Sequence, residues 1–95
     1  MTGAGQPGGP DTQAIDGLIA SLTDGLTPEQ AAQALALLAA RTATRTHTLA
    51  RAEAGARRGA PDWPAWAALQ NAARQLVLQA STCRDLAGRL GGPPA

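Results

Sequence analysis

Cys83 is the only thiol in the chain and His47 the only imidazole. They are the side chains that would serve first as nucleophile, base or soft metal ligand. Cys83 stands in a row (Leu69, Ala73, Leu76, Ala80, Cys83, Ala87, Leu90) whose steps alternate between four and three. That spacing describes one helix face, and a cysteine buried on it acts as a small hydrophobe. Arg84 is its neighbour in sequence but lies about 100° around the helix, so it gives the thiol no electropositive setting. His47 projects near Arg51, opposite the apolar stripe of its own helix, and is expected to be a solvated surface residue. With one cysteine there is no internal disulfide and no cysteine-based metal site.

The carboxylates are Asp11, Asp16, Asp24, Glu29, Glu53, Asp62 and Asp85. Several fall at helix starts, where capping accounts for them. None pairs with a histidine or serine on one face as acid–base chemistry requires. No Walker-type or dinucleotide-binding glycine loop is present. The expectation is a non-enzyme with no catalytic residue, no metal site and no cofactor.

Arg41, Arg45, Arg51, Arg57 and Arg58 are the strongest candidate for chemistry of another kind, because basic residues along a helix can contact phosphates. The net charge of +1 is too small to argue for a polyanionic partner, but its distribution is uneven. Residues 1–40 carry −4, residues 41–58 carry +4 and residues 59–95 carry +1. No recognition-helix motif is visible, and no aromatic residue interleaves with the arginines. A solvated face, or pairing with the acidic first third, is the leading reading, and nucleic acid is the alternative. Trp63 and Trp66 are expected to plug the open end of a helical hairpin, or else to anchor a partner. Leu37 and Leu78 lie off the main stripes and are further candidates for protein contact.

The elements that must position these residues are helical. Of 42 apolar residues, 23 are alanine and 12 are leucine, while phenylalanine and tyrosine are absent. Alanine and leucine favour helix, and only Ile15, Ile19 and Val77 are aliphatic and β-branched. Residues 1–10 and 92–95 read as flexible tails around one helical domain at 11–91. Helix one spans about 12–24, capped by Asp11 or Thr12, with Ile15, Leu18, Ile19 and Leu22 on one side and Gly25 as its stop. Helix two spans about 28–57 behind a capping box of Thr27 and Gln30, with Pro28 at its first position. Helix three spans about 63–90, with Asp62 as N-cap and Gly91-Gly92 as C-cap.

Two long helices joined by a short turn should pair as an antiparallel hairpin. An alanine at every seventh position of helix three (73, 80, 87) permits close approach, with Leu69, Leu76 and Leu90 filling the spaces between. Sustained 4-3 spacing is the pattern of coiled-coil packing. On helix two the apolar face reads Ala31, Leu35, Leu38, Thr42, Leu49 and Ala56, and its small members, with Ala52, should meet helix three. The fold class is therefore all-α, a long hairpin with a short N-terminal helix packed on it, three-helix bundle-like.

In outline, a hairpin with tryptophan near its turn resembles the small secreted WXG-type proteins of actinobacteria. The turn reads Asp62-Trp63-Pro64-Ala65-Trp66, without Trp-x-Gly, and no tyrosine is available for that family's C-terminal secretion signal, so the chain is not assigned to it. Arginine without lysine, beside abundant alanine, glycine and proline, suggests GC-rich bacterial coding. The N-terminus has neither a basic start nor an apolar run, and the longest apolar stretch, Ala34–Ala40, is far short of a membrane span. The reading is a cytoplasmic protein with no membrane role, working through a protein partner as adaptor, regulator or assembly subunit. The thin supply of large apolar residues points to a homodimer.

Overall fold

The computed structural model describes residues 11–91, so the tails expected at 1–10 and 92–95 lie outside the described residues. Three α-helices follow in chain order: α1 (Thr12–Thr23), α2 (Pro28–Ala56) and α3 (Trp63–Ala87). α2 and α3 pack extensively as a hairpin, and α1 makes a smaller contact with α2 alone. The arrangement is the three-helix, hairpin-cored one that the sequence implies.

The caps show why the helices start where they do. Asp11 accepts from the backbone N–H groups of Gln13 (3.0 Å) and Ala14 (3.3 Å), satisfying two donors at the start of α1. Thr27 and Gln30 exchange side-chain and backbone bonds of 3.1 Å each, completing the capping box of α2. Gly25 takes φ +75°, a left-handed conformation that ends α1 without a Cβ penalty. At α3 the expectation fails twice. Asp62 occupies the N-cap position but makes no side-chain cap bond, because Arg57 holds its carboxylate. The helix also ends at Ala87, with Gly88 as cap, three residues earlier than the sequence suggests. Residues 88–91 continue as a turn in which Gly91 adopts φ +88°.

The core is made of alanine. Among the described residues the buried apolar ones are Ala43, Ala50 and Ala54 on α2 and Ala73, Ala80 and Ala87 on α3. No large side chain is fully buried among the described residues. The alanine column 73-80-87 is the one visible in the sequence, but its companions differ. Leu69, Leu76 and Leu90 remain 41%, 49% and 45% exposed, and Cys83 is exposed rather than buried. Gln70 and Val77, three positions before Ala73 and Ala80, are half-buried instead of the residues three after, and Trp63, Trp66 and Ala67 are half-buried at the start of the helix.

α2 is rotated correspondingly. Its contact row is Ala36, Ala40, Ala43, His47, Ala50 and Ala54, not the small residues of the Ala31–Ala56 stripe. His47 is accordingly half-buried rather than solvated. The reason is steric. Alanine opposite alanine lets the helices close up, and leucines at the contact centre would hold them apart. The leucines therefore stand at its edge.

Candidate interaction face

With the alanine rows facing each other, each helix of the hairpin has one flank on either side of the contact. In an antiparallel pair the same rotational sense on both helices leads to the same side of the hairpin. One side thus collects Leu35, Thr42 and Leu49 from α2 and Leu69, Leu76, Cys83 and Leu90 from α3, each set near heptad spacing. Its lower part is seen directly as a cleft of about 440 Å³ lined by Leu35, Ala39, Cys83, Leu86 and Leu90 among others. Leu35 and Ala39 also line a second cleft, of about 670 Å³, whose other wall is Ile15, Leu18, Ile19 and Leu22 of α1. The two clefts share a ridge, so the apolar surface runs from α1 across α2 to α3.

This face is uncovered. Ile15, Leu18, Leu22, Leu49, Leu76, Leu86 and Leu90 are between 43% and 72% exposed. Its hydroxyls ask little of water. Thr42 donates to the Leu38 carbonyl and Thr46 to the Thr42 carbonyl, both at 2.8 Å. Glu53 is the charged group on this side of α2, and it is tied to Arg57 at the turn end, 2.8 Å away.

The opposite side is polar. Arg41, Arg45 and Arg84 line a cleft of about 500 Å³ with Ala40, Thr44 and Thr48. Arg51 and Arg58 stand further along, in a cleft of about 260 Å³ shared with Trp63 and Gln70. Leu37 and Leu78 are also exposed, at 42% and 62%. They fall on this side by helical angle, so the structure does not bring them to the leucine face.

Arg57 does not join the other arginines. Its Nε donates to Glu53 at 2.8 Å and its Nη1 to Asp62 at 2.9 Å, and its guanidinium lies 5.4 Å from the Trp66 ring centroid. The hydrogen bond it donates to Glu53 and the charge of Asp62 raise its pKa above the ordinary arginine value. The tryptophans sit at the turn, which is the closed end of the hairpin rather than the open end, and both are half-buried. Trp66 thus serves as the floor on which the turn's ion cluster rests.

By their spacing Leu35, Leu49, Leu69, Leu76 and Leu90 read as part of the helix contact, and nothing in the periodicity singles out Leu86. The missed signal was that α2 carries two apolar rows, one of alanine and one of leucine, which cannot both face α3. Among the described residues no group of three or more His, Cys, Asp or Glu side chains is placed to hold a metal ion. No described helix is long and apolar enough to cross a membrane. The chain matches no known family model, no curated protein and no solved structure at a significant level.

Proposed function

We propose that this is a small cytoplasmic helical protein that acts by protein–protein contact, as an adaptor, regulator or assembly subunit, and not by catalysis. The observation that supports the reading is the continuous leucine and isoleucine face beside a core made only of alanine. Soluble proteins rarely leave contiguous apolar patches of more than a few hundred Å² bare, and larger ones mark contact sites. Depletion of charge at the centre of such a patch is a signature of interfaces.

A photo-crosslinking residue at position 76, on the apolar side, tests this in intact cells. Covalent adducts to polypeptide are expected there, with few from position 45 on the arginine side. Polypeptide adducts absent at position 76 would remove the reading.

The alternative, a nucleic-acid-associated regulator, is favoured by one arrangement. Arg41 and Arg45 of α2 meet Arg84 of α3 around a single cleft with the Thr44 and Thr48 hydroxyls at its edge. This narrows the basic face from the stretch Arg41–Arg58 to a cross-helix cluster, and it drops Arg57. Phosphate contacts weaken steeply with salt, so a gel shift that fades as salt rises and fails in Arg84→Ala would carry the alternative. No shift at low salt would remove it.

A further inference from the structure

We propose that the leucine face is covered by a second copy of this chain, giving a two-fold dimer whose centre is a four-helix arrangement of two hairpins. This rests on the reading of that face as a contact surface and names its occupant.

Three observations carry it. First, the described residues form no interior of large side chains. Those that are buried are all alanine, whose burial contributes little apolar area. Domains are normally built from at least two layers closing on one core, and the alanine contact does not supply a second layer. A surface on which folding depends needs an occupant present whenever the chain is made, and a second copy meets that condition.

Second, the area fits. Ile15, Leu18, Ile19 and Leu22, with Leu35, Leu49, Leu69, Leu76, Leu86 and Leu90, are 36–72% exposed. At these exposures they offer roughly 800 Å², which is one side of a standard stable interface.

Third, the relief is self-complementary. An α2 row of Leu35, Thr42 and Leu49 runs beside an α3 row of Leu69, Leu76, Cys83 and Leu90, and the cleft between them at Leu35, Leu86 and Leu90 has Ala36, Ala39 and Ala87 in its lining. A row of one hairpin can lie in the cleft of the other, and a two-fold axis makes both fits at once. The face does not suit a charged partner. Its α2 hydroxyls are already bonded to helix carbonyls, and the carboxylate on its α2 side, Glu53, is held by Arg57.

The test is light scattering on the purified full chain, with the rate of Cys83 alkylation as a second readout. Twice the 9.6 kDa chain mass is expected. Cys83 is the only thiol and stands on the proposed interface, so its alkylation should slow by about tenfold or more as concentration rises through the dimer range. Leu76→Glu should yield a single-chain mass and a fast thiol at every concentration. Leu78→Glu, on the other side, should change neither. If Leu76→Glu instead loses helicity together with the dimer while Leu78→Glu keeps both, folding and pairing are coupled as proposed. A single-chain mass for the unaltered protein at about 100 µM overturns the proposal. So does a dimer that survives Leu76→Glu with its helicity intact. A single-chain mass together with polypeptide crosslinks from position 76 overturns the second copy alone and leaves the contact reading standing.

Discussion

The Gln33 side chain of α2 donates its Nε2 hydrogen to the carbonyl oxygen of Ala87, the last residue of α3, at 3.2 Å. It also reaches the Leu90 carbonyl at 3.5 Å. The last four carbonyls of a helix have no partner within it, so a side chain from the neighbouring helix closes the open end of the hairpin. Gln33→Ala should cost about 0.5–1.5 kcal/mol in urea unfolding. Gln33→Glu should cost more, because it has no donor and sets a negative charge against the negative end of the helix dipole. Amide exchange in the last turn of α3 should quicken in both. Equal stabilities for glutamine, alanine and glutamate at position 33 would show that the cap carries nothing.

The alanine contact makes a second prediction. Ala50 is 0% exposed and Ala80 is 4% exposed. Enlarging either to leucine forces the helices apart, at a cost on the order of 1–3 kcal/mol. Arg74→Leu, on an exposed position of α3, should cost much less. Chemical denaturation at one fixed protein concentration compares them. Similar, negligible losses in all three would mean that the helices do not meet at alanine.

What the sequence disclosed, and what it hid, follows from the same contact. The alanine repeat at 73, 80 and 87 and the capping box at Thr27 and Gln30 are local patterns, and both appear as read. The partner column was hidden because hydrophobicity ranks Leu69 and Leu76 above Gln70 and Val77. Geometry ranks them the other way once the helices are close. On α2 the same bias favoured the leucine row over Ala43, Ala50 and Ala54. The role of Arg57 was half legible. Glu53 precedes it by four residues, a spacing any helix brings together. Asp62 and Trp66 reach it only through the path of the turn, which no periodicity describes.

Arg57 links the end of α2 to the start of α3, and its loss should be read by spectroscopy more than by melting. Arg57→Ala removes the cation above Trp66 and frees the Asp62 carboxylate. That carboxylate is then free to cap α3, which offsets part of the loss. Trp fluorescence should therefore shift clearly while the melting temperature moves little. Arg57→Lys should behave like alanine at Trp66, since an ammonium lacks the fork that serves two carboxylates at once. The folded state raises the pKa of Arg57. Its contribution is then complete below the unfolded-state value and is lost only as pH climbs through the still higher folded value. The Arg57-dependent part of the Trp66 emission should hold constant from neutral to mildly alkaline pH. A change in that range, absent in Arg57→Ala, would contradict the assignment.

Two helical glycines separate the stability of α1 from that of the hairpin. Neither Gly17 in α1 nor Gly55 in the last turn of α2 has any atom within 4 Å of an added Cβ. Neither takes a positive φ, so alanine fits both without strain. Each substitution should stabilise its own helix by about 0.5–1 kcal/mol. The consequences differ because the helices are held differently. α2 carries half of the alanine core, whereas α1 buries no residue and touches α2 alone. Gly55→Ala should therefore raise the global unfolding midpoint. At concentrations where the chain is single, Gly17→Ala should slow amide exchange within α1 by roughly two- to fivefold and leave that midpoint unchanged, because α1, without a second copy against it, opens before the hairpin does. Hydrogen exchange and a denaturant titration on both variants decide the point. If Gly17→Ala raises the global midpoint as much as Gly55→Ala, α1 unfolds with the hairpin, and the leucines of its inner face are part of the cooperative core.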